Sequence, residues 1–325
     1  MPYNIDELLN KIENEINSLD ITGEPVELYQ PLQYGIQNGG KRIRPLLVLL
    51  ACEMFEGEVE KAVPLAVGIE LFHNFTLIHD DIMDQAPIRR GAPSVYKKWD
   101  VNTAILSGDV LFSVAYQYML KAPDGCLKDI LELFNETVIR ICEGQQYDMN
   151  FEKTKNITES QYLNMIRLKT AVLPANSLKI GAILAGSSKQ DLDNIYKFGE
   201  MFGMAFQLKD DWLDVFGDED VFGKKNGGDI VANKKTWLHI KAIELADDKQ
   251  LAVLNQAYSD LLMPPIDKIN KVKEIYFKLG IGDLAKKLME DYYKTAFDYI
   301  YQINVAEKSK SNIVELIKSL FERKF

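Results

Sequence analysis

The sequence predicts an all-α fold. Apolar residues recur at helical spacing along nearly the whole chain, alternating strand patterns are nearly absent, and the 20 glycines and 11 prolines are scattered between helical runs rather than pooled. Leu8, Ile12, Ile16 and Leu19 mark a first amphipathic face, and Ile313, Ile317 and Leu320 mark the last. Between them, helices are expected over residues 44–55, 62–81, 102–121, 127–150, 159–186, 191–216, 235–246, 249–262, 266–279 and 282–302. Thr158 followed by Gln161 reads as a capping box, Pro264-Pro265 separates two runs, Pro174 is expected to kink its helix, and residues 223–229 form a glycine-rich loop. With no flexible linker and no short repeat, one helical domain spanning 1–325 is the economical expectation.

A hydrophobic content of 47% with 26% charged residues over 325 positions excludes disordered, collagen-like and proline-rich classes. The net charge of −10 argues against a chain-wide basic surface for nucleic acid or anionic lipid, so any anion site must be local. Cys52, Cys126 and Cys142 follow no CxxC spacing; reduced structural thiols, and hence a cytoplasmic setting, are expected. The acidic, amphipathic start does not resemble a signal peptide, and the most apolar segment, residues 45–52, is too short to span a bilayer.

Two segments repeat one pattern, DDxxD: Asp80-Asp81-Ile82-Met83-Asp84 and Asp210-Asp211-Trp212-Leu213-Asp214, each at the polar end of an apolar helical run. In a helix, positions i and i+4 are stacked, so Asp80 with Asp84, and Asp210 with Asp214, place like charges about 6 Å apart along the axis. A single DDxxD is more often a solvated helix end. Two copies, with no local countercharge, point instead to hard divalent cations with oxygen ligands. Mg²⁺ keeps several waters and binds through few carboxylates plus substrate phosphates, so two facing acidic clusters imply a diphosphate as the remaining partner.

Matching cations are present. Gly39-Gly40-Lys41-Arg42-Ile43-Arg44-Pro45 sets three of them between flexible backbone and a helix N-terminus, the composition of an anion site. Arg89-Arg90-Gly91 follows the first acidic motif closely, and forked guanidinium donors match phosphate oxygens. Lys169, Thr170, Gln207, Lys224 and Lys234 add donors around the second motif. His73 has a plainer reading as a core histidine, or, with Glu70, as half of a di-iron motif whose second half is missing.

In this order GGKRIRP, DDIMD, RRG, FQLKDDWLD and GKKNGGD resemble the trans-isoprenyl diphosphate synthases, the family of farnesyl and geranylgeranyl diphosphate synthases, over residues 39–237. The resemblance implies an all-α helical bundle around a central cavity, homodimerisation, and head-to-tail condensation of isopentenyl diphosphate with an allylic diphosphate assisted by Mg²⁺. It implies Asp80, Asp84 and Asp210 as direct metal ligands, with Asp81, Asp211 and Asp214 as ligands or their supports. Lys41, Arg44, His73 and Arg90 are implied for isopentenyl diphosphate. Arg89, Lys169, Thr170, Gln207, Lys224 and Lys234 are implied for the allylic diphosphate, and Gln145 and Asp148 as lesser site residues. A non-catalytic partner subunit and a class I terpene cyclase are the alternatives; cyclases resemble this pattern less, because their second motif carries other ligands.

Product length follows from helix arithmetic. Counting back from Asp80, Thr76 lies about 6 Å and Phe72 about 12 Å below the metal end, a small side chain above a large one. By resemblance the fourth and fifth residues before the motif, Thr76 and Phe75, set the length, and an aromatic at the fifth implies a twenty-carbon product, with fifteen as the competitor. Phe206 and Phe202 repeat the layout before Asp210 and either narrow the same tunnel or pack the core, the second being the preferred reading.

Overall fold

The structure, a computed structural model, describes residues 3–217, 226–260 and 262–322. Its contacts divide the chain into two compact units, the first comprising residues 1–135, 176–192 and 304–314, the second residues 136–175, 193–303 and 315–325.

The first unit opens with α1 (Ile5–Asn17), whose N-terminus is closed by a capping box between Asn4 and Glu7 and whose apolar stripe buries Leu8, Ile12 and Ile16. Then come α2 (Val26–Gln37), α3 (Ile43–Met54), α4 (Val59–Met83), a hairpin of β1 (Ile88–Arg89) and β2 (Ala92–Pro93), α5 (Val95–Lys98) and α6 (Val101–Met119). Helix α4 packs against α6, α3 and α1. Its Gly68 admits α6 closely: a Cβ there would fall 2.6 Å from the Met119 methyl carbon. Among the described residues α4 alone is long and apolar enough to cross a membrane, and 67% of that stretch is buried inside the protein. Residues 45–52 are therefore not the segment that bears on membrane crossing; the apolar character of α4 serves the core.

Sequence periodicity misses α2, the hairpin and the four-residue α5 here. Helix α2 carries Pro31 and Gly35, which blur its signal, yet it buries Leu32 and Ile36. The hairpin is two residues per strand, paired Ile88 with Pro93 and Arg89 with Ala92. Arg90 (φ 53°) and Gly91 (φ 80°) form its turn, the double positive φ of a type I′ connection.

Helix α7 (Asp124–Lys153) carries the chain into the second unit, where the expected helix over 159–186 is interrupted. Helix α8 (Glu159–Ile166), closed by the anticipated capping box of Thr158 and Gln161, leads into a π-turn at Arg167–Ala171 before α9 (Val172–Leu184). The π-turn ends three residues before Pro174, which stands in the first turn of α9. The chain continues through α10 (Lys189–Phe216), the short α11 (Gly228–Val231), α12 (Trp237–Leu245), α13 (Asp248–Ser259), α14 (Pro265–Lys278), α15 (Ile281–Tyr301) and α16 (Glu307–Glu322). The core of this unit gathers Trp212, Trp237, Leu254, Tyr276, Ile281 and Met289. All three cysteines are free thiols.

His239 in α12 is buried with its ring 3.9 Å from that of Tyr258. Burial, with Lys235 and Lys268 nearby, lowers its pKa from 6.5 to about 4. Between those values the unfolded chain binds the proton and the folded chain does not, so His239 contributes stability above pH 6.5 that is lost as pH falls toward 4. His239→Phe keeps the stacking and should flatten the fall in urea-unfolding free energy across that window.

Candidate functional site

The basic loop before α3 is built on positive φ values, at Gly39 (76°), Gly40 (153°) and Arg42 (48°). Arg42 turns inward, where its guanidinium meets Glu13 at 2.8 Å and Glu70 at 2.7 Å with only 5% exposure. The central cation of GGKRIRP is thus structural. Glu70 is held by Arg42 and by Asn74, which ends the di-iron reading. The nitrogen Nη1 of Arg44 lies 3.1 Å from Nε2 of His73. Burial first, then the charges of Arg44, Arg90, Arg89 and Arg42, lower the His73 pKa well below 6.5, so the neutral ring accepts the Arg44 proton. Arg90 rests on Gly40, where a Cβ would fall 2.9 Å from Nη2 of the guanidinium. Arg44, His73 and Arg90 are therefore brought together beside a helix N-terminus, as anion capture requires.

At the other end of α4, Asp80 lies in the last turn and Asp84 caps it, its N–H donating to the Asp80 carbonyl at 2.8 Å. Asp81 points inward and accepts from Nε of Arg89 at 2.9 Å and from Nη2. Burial raises the Asp81 pKa although Arg89 opposes it. All three carboxylates stand at the negative end of the helix dipole.

The second motif repeats this placement at the end of α10. Asp210 is exposed and Asp211 buried. Asp211 accepts from the Tyr162 hydroxyl and from Nε2 of Gln207 at 3.0 Å; Gln207 in turn accepts from Thr170 at 3.0 Å. Asp214 accepts the N–H groups of Gly228 and Asp229 at 3.1 and 3.0 Å, fastening the turn that follows. Nζ of Lys169 meets Asp148 at 2.6 Å. A cleft of about 110 Å³ in this unit is lined by Asp148, Lys169, Thr170, Gln207, Asp211, Asp229 and Lys234 among others. Gln145 is buried one turn before Asp148 and is not among the described residues lining the cleft; Lys224 lies outside the described residues.

Asp229 and Tyr162 line this cleft and are given no role by the sequence. Asp229, the last residue of GKKNGGD, was legible as an acid closing an otherwise basic loop. Tyr162 sits in an unremarkable helix, and only its hydroxyl on Asp211 reveals it. Burial, with the charge of Asp229, pushes Asp211 up to about 8; burial, with that of Asp214, pushes Asp229 up to about 6. In both cases burial is the larger cause and neighbouring carboxylates add to it, with Lys234 opposing the shift at Asp229. Among the described residues no three carboxylate, imidazole or thiol side chains converge as a metal cage. Hard oxygen donors in an incomplete set fit Mg²⁺, which completes its shell with water and phosphate.

Above the first motif, Phe72 is fully buried and its ring lies 5.7 Å from Phe75, 6.1 Å from Phe112 and 5.3 Å from Phe134. Phe75 and Phe112 are 5.2 Å apart. The two positions read from α4 thus belong to one aromatic cluster with α6, whose Phe112 the sequence reading missed because its partner is set by packing. The Thr76 hydroxyl donates to the His73 carbonyl at 2.8 Å.

The polyprenyl synthetase family profile matches residues 25–276. A geranylgeranyl diphosphate synthase of Methanosarcina mazei is 41% identical over 245 residues, 74% of this chain and 76% of that protein. The crystal structure of a geranylgeranyl pyrophosphate synthase superposes with a TM-score of 0.94 at 38% identity, covering 99% of this chain and all of that one. That of the Corynebacterium glutamicum geranylgeranyl pyrophosphate synthase, complexed with isoprenyl diphosphate and magnesium, superposes with a TM-score of 0.85 at 25% identity, covering 98% and 97%.

Because Arg42 and Glu70 are both buried, Arg42→Met strands a carboxylate and should cost about 3–5 kcal/mol of stability. Chemical denaturation measures it; a loss near zero would show that Arg42 is not the anchor of this loop.

Proposed function

The chain belongs to the polyprenyl synthetase family, and from that premise we propose that it is a short-chain trans-prenyltransferase, condensing isopentenyl diphosphate with an allylic diphosphate and releasing geranylgeranyl diphosphate in preference to farnesyl diphosphate. The observation that carries this reading is the placement of both DDxxD motifs at helix C-termini, where like charges and the helix dipole together call for a cation. The whole chain acts as one synthase domain in this proposal, as a cytoplasmic homodimer.

Asp80, Asp84 and Asp210 would hold Mg²⁺, while Asp81, Asp211 and Asp214, each bound inside the protein, aim their neighbours. Bound Mg²⁺ would neutralise the departing diphosphate. Lys169, Lys224 and Lys234, with Arg89, Thr170 and Gln207, would complete the allylic diphosphate contacts. Lys41, Arg44 and Arg90 would hold isopentenyl diphosphate, with neutral His73 orienting Arg44 by accepting its proton. The allylic C–O bond breaks, the isopentenyl double bond attacks the cation, and a proton is lost. Apolar side chains around Phe72 and Phe75 keep water from that cation.

Purified protein given Mg²⁺, isopentenyl diphosphate and, separately, five-, ten- and fifteen-carbon allylic diphosphates should yield a twenty-carbon product by mass, and a chelator should abolish it. Failure to elongate any primer would favour the partner-subunit or cyclase reading. Phe72→Ala, Phe75→Ala and Phe112→Ala should each lengthen the product by opening the aromatic cluster; unchanged products in all three would remove the floor assignment.

A further inference from the structure

We propose that Gly144 and Gly203 are positioning residues that clamp the π-turn Arg167–Ala171 and so aim Lys169 and Thr170 into the cleft beside the second acidic motif. The inference rests on the synthase reading of that cleft. The turn is closed by the Val172 N–H donating to the Arg167 carbonyl, a wide turn of the kind found at functional sites. Both glycines are buried and touch its backbone. A Cβ at Gly144 would fall 2.3 Å from the Lys169 nitrogen, and one at Gly203 would fall 2.5 Å from Cα of Ala171. Neither contact is with a flexible side-chain end, so an added methyl group must move the turn itself.

The two helices repeat one device. Four residues after Gly144 comes Asp148, which takes the Lys169 ammonium at 2.6 Å; four residues after Gly203 comes Gln207, which takes the Thr170 hydroxyl at 3.0 Å. Residues four apart share a helix face. Each helix thus seats the turn's backbone with a glycine and holds the adjoining side chain one helical turn later. The glycines determine where the backbone lies, and the polar residues determine where the side chains point.

Steady-state kinetics of wild type, Gly144→Ala, Gly203→Ala and Pro174→Ala test this. Gly181→Ala, whose Cβ would meet the Val48 carbonyl at 2.1 Å in the first unit, is the control for packing loss alone. Gly144→Ala and Gly203→Ala should raise KM for the allylic diphosphate by about tenfold or more while leaving KM for isopentenyl diphosphate unchanged, since small displacements of positioning groups cost this much. Gly181→Ala should lower the melting temperature and leave both KM values unchanged. Pro174→Ala, which only returns an N–H, should also leave both unchanged. Folded glycine variants with a wild-type allylic KM would overturn the clamp, as would a Pro174→Ala enzyme showing the same rise, because proline would then set the turn. Should neither alanine variant fold, Pro174→Ala decides alone. A wild type that does not turn over would overturn the synthase reading and this inference with it.

Discussion

Carboxylates concentrated at the C-terminal ends of α4 and α10 are the constraint around which the rest of this molecule is arranged. Each cluster opposes its helix dipole and repels itself, and neither position would be stable without compensation. Part of that compensation is built in. Arg89 takes Asp81, Tyr162 and Gln207 take Asp211, and two backbone N–H groups take Asp214. Burial, with neighbouring carboxylates adding to it, still leaves Asp211 and Asp229 raised, and a hard cation with oxygen ligands is the species that answers clustered carboxylates. The long apolar run of α4 follows from the same constraint, because it carries charged ends on a helix otherwise held in a core.

Cations divide into two kinds by what they meet. Arg42 is consumed by Glu13 and Glu70, Lys209 by the carbonyls of Leu320 and Phe321, and Lys235 by those of Phe151, Glu152 and Thr154. These anchor loops and helix ends. Arg44 and Arg90 form the other kind, gathered around a neutral histidine where their mutual repulsion favours an anion. Sequence position does not separate the two: Arg42 and Arg44 are two residues apart and serve opposite purposes.

The helical class and most helix bounds were legible because burial of an apolar stripe repeats at 3.6 residues, a local property. The acidic motifs and RRG were legible because charge spacing within one helical turn or one tight loop is local too. Helix α2, the Arg90-Gly91 turn and the π-turn were not. Pro31 and Gly35 weaken the first, the second is too short for any period, and the third arises where α7 and α10 press Gly144 and Gly203 onto a chain that would otherwise be an ordinary helix.

By itself, then, the sequence determined the fold class, the two sets of carboxylates and the family they resemble, since each depends on residues within a turn or two of one another. Only the tertiary structure decided which cations are structural, that His73 is a neutral acceptor, that Asp229 and Tyr162 belong to the second cleft, and that Phe112 joins Phe72 and Phe75. Each of these depends on desolvation or on a partner distant in sequence, and burial is a property of the folded chain.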